Sequence, residues 1–372
     1  MVYDDFGYEV DFLPVGDASK SGDAICIRWG RDITNRCDQQ FVMVVDGGHA
    51  YCADAVVTHI KKYYYGSENA SKDQTVINAL INTHPHSDHF GGIPKIYEQT
   101  AVKSIAMHLP WEHTGLPKWF CDGRVTASGI KYQLKEGLEA AFDFSKVVKR
   151  DGVPICELYG GMSYDLFYDV KMTVLGPGKA FYDSLLPDFS ATPTRGTGIG
   201  TDRIELTGKD VPAMFGRLSD DGDTSAENLS GLIFALTMPT GEVLLFTGDA
   251  GIDSLTPAIS HAAEYGVDMS KLSFFQVPHH GSVQNLGPSV IRLIFGKPGS
   301  FKQDKSVTAY ISVASHPDES HPSRRVINAL RAANCNVYKT QGLGLQHYRG
   351  TAKLHPGWIT LSPLPGYDMV EG

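Results

Sequence analysis

The feature that most constrains this chain is a run of ten residues, THPHSDHFGG (Thr83 to Gly92), which closes the apolar, β-branched stretch TVINALINTH. Such a stretch reads as a buried strand, so His84, His86, Asp88 and His89 emerge where a strand opens into a turn. Histidines two apart on extended backbone share a side, so His84 and His86 can hold one metal ion. Asp88 and His89 lie past the turn and can address a neighbouring ion. Imidazole and carboxylate suit zinc, and also manganese or iron. The plain alternative is a histidine-rich polar turn, but four ligand-type residues in six positions after an apolar strand tell against it. A fold that uses them must bring other strand ends to the same place.

Three later segments offer such ends. EVLLFTGDA delivers Asp249, a carboxylate able to bridge two ions about 3.5–4 Å apart; alone, it reads equally well as a cap for the helix that follows. VPHHGS delivers His279 and His280. Neighbouring side chains on extended backbone diverge, so one of the two is expected as a ligand and the other to contact substrate or move a proton, with His279 taken as the ligand and His280 as the other. SHPDESHPS adds His316 and His321, one of which is expected to complete the shell of the second ion, His321 being favoured. Asp88 and Asp249 are also expected to orient the attacking water. The other histidines (His49, His59, His108, His113, His261, His347 and His355) read as packed or surface residues.

Strand, helix and strand alternate on both sides of this series, which predicts a layered α/β protein. YEVDFLPV, DAICIRWG and QFVMVVDGG read as strands, YCADAVVTHIKKYYYG as a helix, and GLIFALTM with EVLLFTGDA as a hairpin around PTGE. The pattern weakens over 100–165, read as an insertion capping a single domain that spans 1–372; a loop-rich stretch follows from about Ala191 to Glu227.

Apolar residues make up 42% and charged residues 20% of the 372, which fits a sizeable core. A formal net charge of −9 argues against broad binding to long nucleic acids. The Lys-Tyr segment HIKKYYYG reads better as helix-end packing than as a base-stacking platform, and the arginines of SRRVINALRAAN as a solvated helix face. MVYDDFGYEVDF lacks a leader's basic start and apolar core, no run is long enough to span a membrane, and the six cysteines form no CxxC pair. The expectation is a reduced, cytoplasmic protein, with no membrane and with oligomer formation open.

His84-x-His86-x-Asp88-His89-x-Gly91-Gly92 resembles the signature of the metallo-β-lactamase superfamily. VDGG, NTHPHSDHFGG, LLFTGDA, VPHHGS and the His321-Pro322 pair follow the order seen in the soluble domain of ComEC-type competence proteins; GDAICIRWG and VYKT are also similar. This resemblance implies a four-layered αββα sandwich with a di-metal centre between its sheets. His84 and His86 would hold one ion, Asp88 and His89 the other, and Asp249 would bridge them. Many members take a further histidine between the first motif and the bridging aspartate. Here only His108 and His113 fall in that interval, too near the first motif, so the missing ligands are sought in HHGS and HP. The activity implied is metal-dependent hydrolysis with two divalent ions, zinc first and manganese or iron next, and the bond expected is a phosphodiester. Rival readings are a lactone, ester or amide (β-lactam-like) hydrolase and a non-catalytic binding module. A di-iron redox protein fits least, since His86 replaces the acidic ligand and no flavodoxin-like segment follows.

Overall fold

A computed structural model of the chain describes residues 4–17, 19–113, 132–189, 218–297, 299–317 and 321–367. Strand β1 (Phe6–Phe12) sets the pattern for the layers. Phe6, Tyr8, Val10 and Phe12 face the space between two sheets, while Glu9 and Asp11 point the other way. Alternation of this kind predicts a half-solvated strand, yet Glu9 and Asp11 are both 0% exposed, because helices and the C-terminal segment cover that face.

The first sheet continues with β2 (Ile25–Arg31), β3 (Gln40–Val45), β4 (Ala79–Ile81), β5 (Ile105–Ala106) and β6 (Ile155–Cys156). The second contains β7 (Ser163–Asp165), β8 (Lys171–Gly176), β9 (Ile233–Thr237), β10 (Val243–Phe246), β11 (Leu272–Gln276), β12 (Val307–Ile311) and β13 (Cys335–Lys339). The last strand, β14 (Leu345–Gly350), returns to the first sheet and pairs antiparallel with β1. The orders are β14-β1-β2-β3-β4-β5-β6 and β13-β12-β11-β10-β9-β8-β7. Each sheet is antiparallel at one end and parallel at the other: β3 to β6 run parallel in the first, β10 to β13 in the second.

Helices close both outer faces. Over the first sheet lie α1 (Ala53–His59), α2 (Ser87–Phe90), α3 (Ile93–Gln99) and α4 (Tyr132–Arg150), whose Val56, Phe90, Ile96, Phe144 and Val148 pack with Val42, Val44 and Leu80. The short helices α5 (Lys179–Leu185) and α6 (Ala226–Leu229) follow. Over the second sheet lie α7 (Ile252–Ser260), α8 (Pro288–Phe295) and α9 (Arg324–Ala332), whose Leu255, Ile259, Ile291, Ile294, Val326 and Leu330 join Leu245, Phe275 and Ala309. Between the sheets, Phe12, Trp29, Phe234, Phe246, Phe274 and Tyr310 fill a third apolar layer. Each such fully buried side chain contributes about 1.5–3 kcal/mol. The result is an αββα sandwich, as expected from the sequence.

Two expectations need revision. The stretch 100–165 is not wholly an insertion: β5, β6 and β7 fall within it and extend both sheets, and α4 belongs to the outer layer, with Phe144 against Phe90 and Tyr97. Two-residue strands are too short to leave a periodic trace. TVINALINTH is also two strands rather than one, because Val76–Ile77 pairs with Ala101–Val102 outside the main sheets and only Ala79–Ile81 enters β4. The loop-rich stretch expected over 191–227 lies mostly outside the described residues.

Candidate metal centre

The parallel halves of both sheets deliver their C-terminal ends to one crevice, where α/β folds place their ligands. After β4 come His84 and His86, then Asp88 and His89 on α2; after β10 comes Asp249; after β11 come His279 and His280. Chain crossings pack these turns together. Gly47 N–H donates to the His89 carbonyl (2.7 Å) and Gly92 N–H to the Gly48 carbonyl (2.8 Å). A Cβ on Gly92 would sit 2.1 Å from the Gly47 oxygen, so VDGG and FGG are two halves of one backbone contact.

The ligand-type side chains form two groups that share Asp249. One is His84, His86 and Asp249; the other is Asp88, His89, Asp249 and His280. His279 joins the first group, with Nε2 3.5 Å from Asp249 Oδ2. His84 Nε2 and His86 Nδ1 face each other at 3.1 Å. His89 Nε2 lies 3.3 Å from Asp249 Oδ2, and His280 Nε2 3.6 Å from Asp88 Oδ2.

The outer atoms of these rings decide what the inner atoms can do. His89 Nδ1 donates to Asp46 Oδ2 (2.7 Å), His279 Nδ1 to Asn285 Oδ1 (2.7 Å) and His280 Nδ1 to the Ser312 carbonyl (3.0 Å). Thr83 Oγ1 donates to Asp46 Oδ2 (2.7 Å) and therefore accepts from His84 Nδ1 at 3.0 Å. Each partner is an acceptor, so in the neutral ring the proton stays outside and a nitrogen lone pair points inward. Four lone pairs then face two carboxylates, an arrangement that is repulsive unless a cation sits among them. His89 Nε2, His280 Nε2 and Asp249 Oδ1 are buried with no hydrogen-bond partner. A divalent ion in each group fits these atoms, and the outer hydrogen bonds are those that metal-ligating histidines require.

The electrostatics agree. Burial disfavours a charged His89, yet Asp249, Asp46 and Asp88 together raise its pKa well above the usual histidine value. His280 is pushed up to about 9 against the same penalty, by Asp88, Asp249 and Asp23. Burial opposes ionisation of Asp249, but His89 and His279 hold its pKa well below the usual carboxylate range. The crevice therefore favours positive charge.

Of the residues expected at the site, the structure brings together His84, His86, Asp88, His89, Asp249 and His279. His280, expected to contact substrate, falls in the second group of ligand-type side chains. The premise of diverging neighbours fails because His279 and His280 are not extended: both are left-handed, at φ 47° and 54°, and this turn points both rings inward. His321 is in neither group. It lines the recess outside the centre, its ring centroid 6.1 Å from that of His279. His316 bonds Ser315 and does not line that recess.

Sequence reasoning missed the supports. Asp46 accepts from His89, Thr83 Oγ1, Thr83 N–H (2.7 Å) and Asn82 (3.3 Å). Asn285 also donates to the Asp249 carbonyl (2.8 Å), and Gln276 ties Asp23 (2.7 Å) to the Thr247 N–H (3.0 Å). An aspartate between a strand and Gly-Gly was the one available signal for Asp46; nothing in sequence marks Asn285.

Fold and site together define a metallo-β-lactamase sandwich with a candidate two-ion crevice. Residues 37–208 match the model described as the metallo-beta-lactamase superfamily. No curated protein matches the chain in sequence. Among solved structures, unliganded yeast PDE1 is similar at 13% identity and TM-score 0.45, over 89% of this chain and 96% of that one. A diphosphatase from the PhnP family is similar at 10% identity and TM-score 0.36, over 91% and 97%. The metallo-β-lactamase MIM-1 from Novosphingobium pentaromativorans is similar at 14% and 0.32, over 76% and 78%.

Proposed function

We propose that the protein is a metal-dependent hydrolase of phosphodiester bonds in a nucleotide or related small substrate. The observation that carries this reading is the recess above the ligands. It encloses about 450 Å³ and is lined, among the described residues, by Lys20, three serines (Ser19, Ser21, Ser87), four histidines and Asp88, with Pro317 the one apolar residue among them. An ammonium and hydroxyls at the mouth of a cationic centre suit phosphate oxygens. An acyl or β-lactam substrate is better held by apolar walls. The ComEC-type order of motifs supports the same bond.

In this reading His84, His86, His279 and Asp249 hold one ion and Asp88, His89, His280 and Asp249 the other, zinc being the first choice. Such ions lower the pKa of bound water from 15.7 towards about 7 and offset charge on the phosphoryl oxygens. The chain's own part is positional. Asp249 and Asp88 accept hydrogen bonds from the attacking water, Lys20 pairs with a phosphate oxygen, and His321 gives a proton to the leaving oxygen. His280 does not serve that last role, since its Nδ1 donates to the Ser312 carbonyl and its Nε2 belongs to the second ligand group.

The test is hydrolysis of bis-p-nitrophenyl phosphate beside a lactone and a chromogenic cephalosporin, with zinc, manganese or iron, in wild type and Asp249→Asn. Phosphodiester turnover that is lost in the variant is expected. Turnover of the carbon-centred substrates alone would refute the proposal.

A further inference from the structure

Away from this crevice, a second cluster of metal-ligating side chains lies between the first sheet and the C-terminal segment. We propose that Asp11, His59 and His355 form a structural divalent-cation site, of zinc type, that fastens that segment to β1 and α1. The three residues come from β1, the end of α1 and the stretch after β14, and offer ligand atoms within 4.8 Å of one another. All three are buried, at 0%, 6% and 4% exposure.

The convergence is lopsided. Asp11 Oδ2 meets His355 Nε2 at 2.8 Å, His59 Nε2 at 2.9 Å and the Tyr64 hydroxyl at 2.7 Å. Asp11 Oδ1, equally buried, has no partner. A purely hydrogen-bonded carboxylate spreads its donors over both oxygens. Here the donors crowd onto Asp11 Oδ2 while the second oxygen stays open, and the two imidazole nitrogens and the carboxylate, with ligand atoms within 4.8 Å of one another, make a nitrogen and oxygen set of the kind zinc takes once the ring protons are released. Glu9 Oε1, 3.4 Å from His355 Nε2, is the nearest further donor.

Charge leads to the same place. Arg28 Nε donates to Glu9 Oε1 at 2.6 Å, which neutralises Glu9 and leaves Asp11 as an uncompensated buried anion when both histidines are neutral. Uncompensated burial is costly, so a cation belongs here: a proton on a ring or a metal ion. The closed shell, unreachable from solvent, is the form of a structural site rather than a catalytic one. Its mechanical role follows from His355, which also stacks on Tyr63 at 4.3 Å and whose backbone N–H donates to Gln346 Oε1 (2.9 Å).

The experiment is metal analysis of the full chain by inductively coupled plasma mass spectrometry, in three forms. Asp88→Ala/Asp249→Ala, which empties the crevice, is expected to retain about one equivalent of zinc, and its Tm to fall on treatment with a strong chelator and recover with zinc. His355→Ala in the otherwise native chain is expected to lose one equivalent relative to wild type and to keep phosphodiester turnover. Either a crevice variant devoid of metal with a chelator-insensitive Tm, or an unchanged stoichiometry in His355→Ala, would overturn the proposal in favour of a proton. Neither readout requires the crevice reading to be right.

Discussion

Asp46→Asn is the sharpest test of how the crevice is held. The two oxygens of Asp46 face only donors: Thr83 N–H and Asn82 on one, His89 Nδ1 and Thr83 Oγ1 on the other. An asparagine keeps the shape but must point its NH2 at one of these pairs. If it faces Thr83 N–H, a backbone donor is left buried and unsatisfied. If it faces His89, the ring takes the other tautomer and its Nε2 carries a proton inward, where a lone pair is needed. Losing one hydrogen bond to a charged group costs about 1.5–3 kcal/mol, and loss of such an outer partner weakens metal binding by about 10–100-fold. The assay is competition of zinc against a chromophoric chelator, alongside urea unfolding of the metal-free proteins. We expect both the affinity loss and a destabilised metal-free fold. Unchanged zinc affinity would refute the argument that Asp46 sets the His89 tautomer.

Four further outcomes are expected. Gly248→Ala places a Cβ 3.0 Å from Thr83 at φ +50°, which should cost about 1–3 kcal/mol in thermal unfolding and lower zinc occupancy. Gly241→Ala, at φ +85° with open space around it, should cost stability but leave occupancy alone. His347 is buried among Tyr8, Phe274 and Tyr310, and burial, with Arg349 nearby, lowers its pKa to about 3. Its neutral form is favoured in the fold, so this contribution is complete above pH 6.5 and declines as the pH falls towards 3. Between pH 6.5 and 5 the loss should approach about 2 kcal/mol, and urea titrations should show it vanish in His347→Leu. Phe274→Ala, between the sheets at 0% exposure, should cost about 3–5 kcal/mol by the same titration.

The sequence made the sandwich and most of the centre readable because strand ends carry their ligands in short motifs. His84 to His89 are local, and Asp249 and the His279–His280 pair sit at strand ends. What escaped were relations between distant segments. Asp46 and Asn285 matter through partners 43 and 6 residues away. The burial of Glu9 and Asp11 depends on a segment more than three hundred residues later, as the contact between Asp11 and His355 shows. The premise that the His279 and His280 side chains diverge failed on backbone geometry: alternation rules hold for extended chain, and two consecutive left-handed residues break them.

That pair of left-handed histidines carries a consequence for how the chain tolerates change. Non-glycine residues in this conformation cost about 1–3 kcal/mol each, so the fold alone would be better served by glycine or asparagine. Replacing His280 (φ 54°) with glycine should make the metal-free protein harder to melt and at the same time unable to fill its second site. In a lineage released from the need for metal, drift at these two positions would run towards stability. Histidine at both is what the proposed two-ion centre would require.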